Sequence, residues 1–429
     1  MKRVWMVSVL LSVVFTGLVS AEDIESLKRQ LQEQQRMLQQ MQKRLAELES
    51  KQENQDKVID KKIADSLEEK KFDALPESLK WAEKVKLSGD LRYRHESIDD
   101  DASTSERNRN RIRARLNIEG EVNDEWGVRF RLASGSSDSP TSTNQTLGDS
   151  NTDSFGNTPF WIDMAYADFH PAAIDGFNAY FGKMANPFYK TGKNELIWDG
   201  DVTPEGIAAS YETALSPSTS LFANGGGFWI RERSGGADTG LFGIQSYLKH
   251  KINQNLYALG GLSYYDMGNL DDRTEDLSNV NTSSGNTFNS SNQYVYDYDV
   301  VEMFAEMGGF EFMGLPATVY GNYVENTAAP GDRNSGWFMG WKLNKAKKPG
   351  DWQISYNYRE LEKDAVFDGL TDSDFIGGGT DGKGHEIGLK YKVSENVDAG
   401  LTYFLNNRNT GSADSEDFDL LQADLKLKF

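Results

Sequence analysis

From Val85 to the terminal Phe429 the sequence alternates apolar and polar residues with a period of two, and the alternation restarts about sixteen times. The last segment is the plainest case. Leu421, Ala423, Leu425, Leu427 and Phe429 share one face of a strand, and Gln422, Asp424, Lys426 and Lys428 share the other. The same phase sets Val85, Leu87, Leu91 and Tyr93 on one face of the first segment. It sets Trp337, Met339, Trp341 and Leu343 together further on, and Ile387, Leu389, Tyr391 and Val393 after that. So many two-faced strands must cover their apolar faces with a core or with lipid.

The connections decide between the two. Asn123–Glu125, Ser216–Ser218, Asn253–Asn255 and Ser394–Asn396 read as tight turns. Between them lie Ser134–Thr158, Met267–Tyr296 and Glu362–Gly382, rich in Ser, Asn, Asp and Gly. Structureless loops of that length are out of place in a compact soluble domain. Alternating short turns and long loops are what a membrane barrel carries at its two ends. A soluble propeller or sandwich would need a blade or Greek-key repeat, and the sequence has none. The expectation is an all-β, transmembrane antiparallel barrel of about sixteen strands over residues 84–429.

The N-terminal part is a different kind of sequence. Residues 1–21 carry Lys2 and Arg3, an apolar run from Val4 to Val19, and the small-residue site Val19-Ser20-Ala21, which reads as a secretory signal. Residues 22–60 lack Gly and Pro, and Ile24, Leu27, Leu31, Leu38, Met41, Leu45 and Leu48 form a heptad seam. A helix with so narrow an apolar stripe is expected to self-associate as a coiled coil. Residues 61–83, with Pro76, read as a linker. After the signal, no apolar run approaches the ~20 residues that a membrane helix needs. An exported chain that spans a membrane must then do so as a barrel. An even strand number leaves both barrel ends, and the coiled coil, on the periplasmic side of an outer membrane.

Composition excludes other classes. Cys is absent, which rules out disulfides and thiolate metal sites. The four histidines, His95, His170, His250 and His385, have no ligand spacing, and no cofactor or metal is expected. A net charge of −20 argues against nucleic acid as a partner. For a barrel hydrolase the place to look is His95 with Ser97 and Asp99, and Gly377–Gly384 falls short of a phosphate loop. Neither supports an enzyme. Most Trp and Tyr residues phase outward, which suits aromatic girdles at the lipid interface.

Charge concentrates on one inward face. The second strand presents Arg107, Arg109, Arg111, Arg113 and Arg115 at two-residue spacing, and the flanking strands add Arg92, Arg94, Arg129 and Arg131 on the same phase. The first and last of the row would lie ~27 Å apart along the strand. Even one Arg at mid-depth on the lipid side costs ~2–4 kcal/mol, so the row faces a pore or a plug. Arg107 and Arg109 could equally lie in the first external loop. A candidate counter-charge is the connection Glu195-Leu196-Ile197-Trp198-Asp199-Gly200-Asp201-Val202-Thr203-Pro204-Glu205, where an apolar cluster is set among four carboxylates. Folded into the lumen, it would pack Leu-Ile-Trp on the wall and turn Glu195, Asp199, Asp201 and Glu205 toward the arginines, producing a transverse field.

The strand pattern resembles the trimeric sixteen-stranded diffusion porins of Gram-negative bacteria. The coiled-coil N-terminus, Ile162-Asp163-Met164-Ala165-Tyr166, Gly182–Phe188 and Trp198–Gly206 resemble the broad "putative porin" family, which is akin to the phosphate-selective porins O and P. The resemblance implies a third loop folded inward against basic wall residues, here Glu195, Asp199 and Asp201 against Arg111, Arg113 and Arg115. The sequence has no evident lysine set for a phosphate site, so phosphate selectivity is not expected. The implied protein is a homotrimeric channel for small hydrophilic solutes, anion-preferring, with outer-membrane lipid and lipopolysaccharide around it. The competing class is a structural barrel tethering the outer membrane to the cell wall through its coiled coil.

Overall fold

Each alternating segment becomes a strand. A computed structural model of the chain describes residues 82–136, 139–149, 153–273, 285–411 and 415–429, and of residues 1–81 only Arg36, Lys43 and Arg44. The expected signal (1–21) and nearly all of the expected coiled coil (22–60) and linker (61–83) therefore lie outside the described residues. The strands are β1 (Val85–Asp100), β2 (Arg107–Glu121), β3 (Trp126–Ala133), β4 (Gln145–Thr146), β5 (Trp161–Phe169), β6 (Phe177–Lys183), β7 (Glu205–Ser216), β8 (Thr219–Arg231) and β9 (Thr239–Lys251). They continue as β10 (Tyr257–Met267), β11 (Tyr298–Phe312), β12 (Leu315–Asn326), β13 (Ser335–Leu343), β14 (Trp352–Leu361), β15 (Gly382–Ser394), β16 (Val397–Arg408) and β17 (Glu416–Lys428). The two-residue β4 is a spur that pairs with β2 beyond the end of β3, which leaves sixteen barrel strands.

Every barrel strand pairs antiparallel with its neighbour in sequence, and β1 pairs with β17 to close the ring, from Asp90 opposite Lys428 to Asp100 opposite Phe418. Closure leaves no sheet edge with unpaired backbone groups, which is the condition for crossing lipid. At the seam the backbone of Phe429 exchanges hydrogen bonds of 3.0 and 3.1 Å with Gly89. The Phe429 ring passes 2.5 Å from where a Cβ on residue 89 would sit, so a larger residue there would displace the terminal aromatic.

The outer face is apolar. Leu87, Leu91, Tyr93, Ile244, Leu262, Met303, Met339, Leu401, Leu421, Leu425 and Leu427 are all exposed, at positions where a soluble protein would hide them. The barrel has a short-turn end and a long-loop end, as the connections foretell. The long loops do not all stay outside. The described parts of the β10–β11 loop (268–273 and 285–297) and the β14–β15 loop (362–381) sink into the barrel mouth. There Tyr294, Ala365, Val366, Phe367, Phe375 and Ile376 join Leu196, Ile197 and Trp198 in one buried cluster with inward residues of β8–β14.

Candidate functional site

The site is the lumen, and its first component is the wall of β1, β2 and β17. Register sets Asp90 opposite Arg115, Arg92 opposite Arg113, Arg94 opposite Arg111, and Glu96 opposite Arg109. The outer two rows pair opposite charges. The middle two set arginine against arginine, which is unfavourable without countercharge. The countercharge comes from three places. On β17, Asp424 takes Arg94 in a two-pronged pair of 2.7 and 2.8 Å and lies 3.9 Å from Arg92. From the β14–β15 loop, Asp374 meets Arg94 at 3.0 Å. From the β6–β7 loop (184–204), Asp201 lies 3.5 Å from Arg115 and 3.9 Å from Arg113.

The remaining arginines are paired as well. Arg113 and Arg115 reach Asp90 at 2.9 and 2.8 Å, and Arg109 and Arg111 both reach Glu96. On β3, Arg129 lies 3.0 Å from Glu121 and 3.5 Å from Asp168, and Arg131 bonds Asp163. Arg107 stands exposed at the start of β2. Every other expected wall arginine therefore faces inward and holds at least one carboxylate. Arg94 and Arg113 are buried under protein instead of open to water.

The second component is the β6–β7 loop itself. It leaves the wall at Met184 and crosses to the far side. Phe188 packs edge-on to Tyr265 at 5.0 Å and stacks on Trp198 at 5.9 Å. At the tip, Tyr189 donates to Glu306 Oε2 at 3.0 Å, the Gly192 amide donates to the same oxygen at 3.0 Å, and Tyr257 donates to Oε1 at 2.5 Å. Lys342 Nζ caps the Gly192 carbonyl at 2.5 Å. Gly192 has φ 58° and lies against the Tyr320 ring, so a Cβ there would be both strained and 2.4 Å from the ring. The loop then returns past the β14–β15 loop, where the Asp199 amide donates to the Leu370 carbonyl at 2.7 Å and the Ser373 amide donates to Asp199 Oδ2 at 3.0 Å.

The four loop acids thus divide. Asp201 meets the arginines. Glu195 and Asp199 meet Asp372 of the other loop, with carboxylate oxygens of all three within 4.8 Å of one another. Glu205 opens β7, pairs with Lys183 at 2.7 Å and is largely exposed. Burial pushes the Asp201 carboxyl up, but Arg113, Thr143 and Arg115 outweigh it and hold the group below the usual carboxylate range. Burial comes first for Glu195 and Asp199 too. With Asp372 beside both, it raises them well above that range.

Two features escaped sequence reasoning. The β14–β15 loop was expected as an external polar loop. Instead it lies inside, with Ala365, Val366 and Phe367 fully buried, because its apolar residues are spaced among Asp, Gly and Ser where no periodicity reveals them. The Gly-rich end of this loop is packed as well: Thr380 donates to the Lys363 carbonyl at 2.6 Å and Asp381 pairs with Arg333 at 2.5 Å. A lysine set also exists that sequence could not assemble. Lys190 and Lys193 of the β6–β7 loop, Lys342 of β13, Lys345 and Lys347 of the β13–β14 turn and Lys390 of β15 line one cavity of about 400 Å³ at the short-turn end. His95 lies exposed on β1 with its Nδ1 3.0 Å from Asn110 Oδ1 rather than on Ser97, so no hydrolase set forms there.

A closed sixteen-strand barrel with an apolar belt and inward loops narrowing its lumen is a porin architecture. Residues 100–298 and 295–429 match the family described as "Putative porin", and the chain belongs to that family. Family and fold are those of an outer-membrane channel. In fold it is similar to OprB of Pseudomonas putida, with a TM-score of 0.56 at 9% identity over 82% of this chain and 96% of that one. It is also similar to OmpF of Salmonella typhi, with a TM-score of 0.50 at 12% identity over 80% and 97%. No curated protein matches the sequence.

Proposed function

We propose that this porin is a passive diffusion channel for small hydrophilic solutes that prefers anions. It works as a homotrimer amid outer-membrane lipid and lipopolysaccharide, with residues 22–60 as a coiled coil in the periplasm. The observation that carries the anion preference is the charge around the lumen at its short-turn end. The lysine-lined cavity has Glu306 as its single carboxylate, and that group is already bonded by two tyrosine hydroxyls. The adjoining cavity of about 290 Å³ adds Arg92, Arg113, Lys426 and Lys428 against Glu386, Asp398 and Asp424. Taken together, and counting Lys390 once, ten basic groups face four acids. A water-filled space with low-dielectric walls focuses such a field, while acids in external loops more than ~8 Å away are screened. The arginine row adds less than its number suggests, since its acids neutralise it in place. Arginines on one wall and lysines at the short-turn end also favour kinship with the phosphate-selective porins O and P.

The test is the reversal potential of the purified channel in a planar bilayer under a KCl gradient. Anion preference is expected, weakened in Lys193→Gln/Lys345→Gln/Lys347→Gln and changed less in Arg111→Ala/Arg113→Ala/Arg115→Ala. Cation preference in the wild type overturns the reading. The apolar cluster that fills the long-loop end favours one rival, a plugged barrel that tethers the outer membrane to the cell wall. A protein that inserts but gives no discrete conductance steps would favour that rival.

A further inference from the structure

The two lumen loops come from distant parts of the chain, yet their seam holds three carboxyl groups. Glu195 and Asp199 belong to the β6–β7 loop and Asp372 to the β14–β15 loop. The backbone crosses the seam beside them, from the Asp199 amide to Leu370 at 2.7 Å, and from the Asp372 amide to the Glu195 carbonyl at 3.3 Å. Three carboxylates this close, with Asp199 and Asp372 buried, repel strongly when all are ionised.

The cations nearby are too few or otherwise engaged. Arg359 of β14 reaches Asp372 at 2.6 Å and shares itself with Glu386 of β15 at 2.9 Å. Lys190 Nζ sits on the carbonyls of Trp198 and Asp199 at 3.2 and 3.3 Å. Asp374, the next acid along, is taken by Arg94 of β1, and Arg111 of β2 also acts on it. Asp201 is taken by Arg113 and Arg115 of β2. The seam is therefore short of positive charge on every side.

We propose that Glu195, Asp199 and Asp372 form a proton-held clasp. A proton held on Glu195 or Asp199, against the Asp372 carboxylate that Arg359 already pairs, keeps the β6–β7 loop docked on the β14–β15 loop, and its loss at higher pH releases the loops and widens the lumen. The sign follows from proton linkage. A carboxyl that binds its proton more tightly when docked than when free favours docking at low pH, and docking weakens as pH rises through the docked value. Buried carboxyl pairs elsewhere behave this way, with one partner kept protonated. The clasp rests on the channel reading only for its effect on conductance.

Two measurements keep the clasp separate from that reading. The first is single-channel conductance between about pH 5 and pH 9, a range from ordinary carboxyls toward ordinary lysines. Wild type is expected to conduct more at the alkaline end. Glu195→Gln/Asp199→Asn, which mimics the protonated groups, is expected to lose that rise and stay at the acid-side level. The second is tryptic cleavage after Lys190 or Lys193, read by mass, on folded barrel recovered as the heat-modifiable band. Cleavage should increase with pH in wild type and not in the double variant. This readout needs no conductance, so it judges the clasp even if the channel reading fails.

The control is Asp368→Asn, in the same loop but bonded to Tyr294 at 2.9 Å and outside the triad. Burial raises that carboxyl to about 7, so it is another loop group that could respond in this range. The control should keep the pH response. Loss of the response in Asp368→Asn, or its persistence in the double variant, overturns the clasp. So does a conductance insensitive to pH that falls when millimolar Ca²⁺ is added, since the triad would then hold a cation.

Discussion

Beyond its seam with the β14–β15 loop, the β6–β7 loop is held on the barrel wall at two places in two different ways. Where it returns, Asp201 sits on Arg113 and Arg115 of β2, a contact made of net charge. At the tip, residues 188–192 sit on β9–β12 through aromatic packing and neutral donors converging on one acid. Tyr189 lies 5.0 Å from Tyr247, Gln245 exchanges two hydrogen bonds with the Tyr189 backbone, and Glu306 collects the rest. A contact between opposite net charges weakens with salt, whereas packing and hydrogen bonds from neutral donors respond less. The comparison implies that the arginine side is the contact most sensitive to salt.

The largest effect should come from the packing that underlies both ends. Trp198 is almost fully buried against Phe188 and Tyr265. Trp198→Ala should weaken loop docking by about 3–5 kcal/mol, the scale of a buried aromatic truncated in a core. Rapid tryptic cutting at Lys190 or Lys193 in a barrel that still inserts is the expected result. Loop protection equal to wild type would mean the tip holds without its core.

The two anchorages also differ in how far the sequence reveals them. All sixteen barrel strands were legible, because lipid outside and water or polar groups inside impose a period of two. The inward phase of Arg111, Arg113 and Arg115 followed from it. Leu196, Ile197 and Trp198 were legible as an inward cluster because three adjacent apolar residues have no place in a solvated loop. Glu306 was not, since one acid on a strand looks like any other until Tyr189, Tyr257 and Gly192 converge on it. The pairing partners of the arginines were equally hidden. Asp374 and Asp424 lie roughly 280 and 330 positions from Arg94, and only barrel closure and an inward β14–β15 loop bring them together.

At the tip, Glu306→Gln keeps the shape but removes one acceptor position and the charge that strengthens the rest. It should loosen the tip by about 1–3 kcal/mol, the cost of leaving buried donors poorly satisfied. Open-channel current noise should rise, with barrel melting in detergent nearly unchanged. Equal losses in both would make Glu306 a strand residue and nothing more.

The smallest effect belongs to the arginine side, and it sharpens the contrast most. Asp201→Asn removes one carboxylate, but Arg113 and Arg115 keep Asp90 at 2.9 and 2.8 Å. The loss should be about 1 kcal/mol, the net scale of one hydrogen-bonded contact, since the Asn side chain can still accept from Thr143. Its dependence on conditions is the real test. Because the arginines hold the Asp201 carboxyl below its usual range, its contribution is present above the free-carboxyl value of about 3.9 and is lost as pH falls through the lower docked value. That is opposite in sign to the seam of Glu195, Asp199 and Asp372, whose docking weakens as pH rises. Wild-type loop protection should therefore peak at intermediate pH and fall on both sides. In Asp201→Asn the acid-side fall should disappear while the alkaline fall remains, and added salt should lower protection in wild type more than in the variant. An unchanged acid limb in Asp201→Asn would mean that the charge contact does not hold the loop, and that the tip and the buried Trp198 hold it alone.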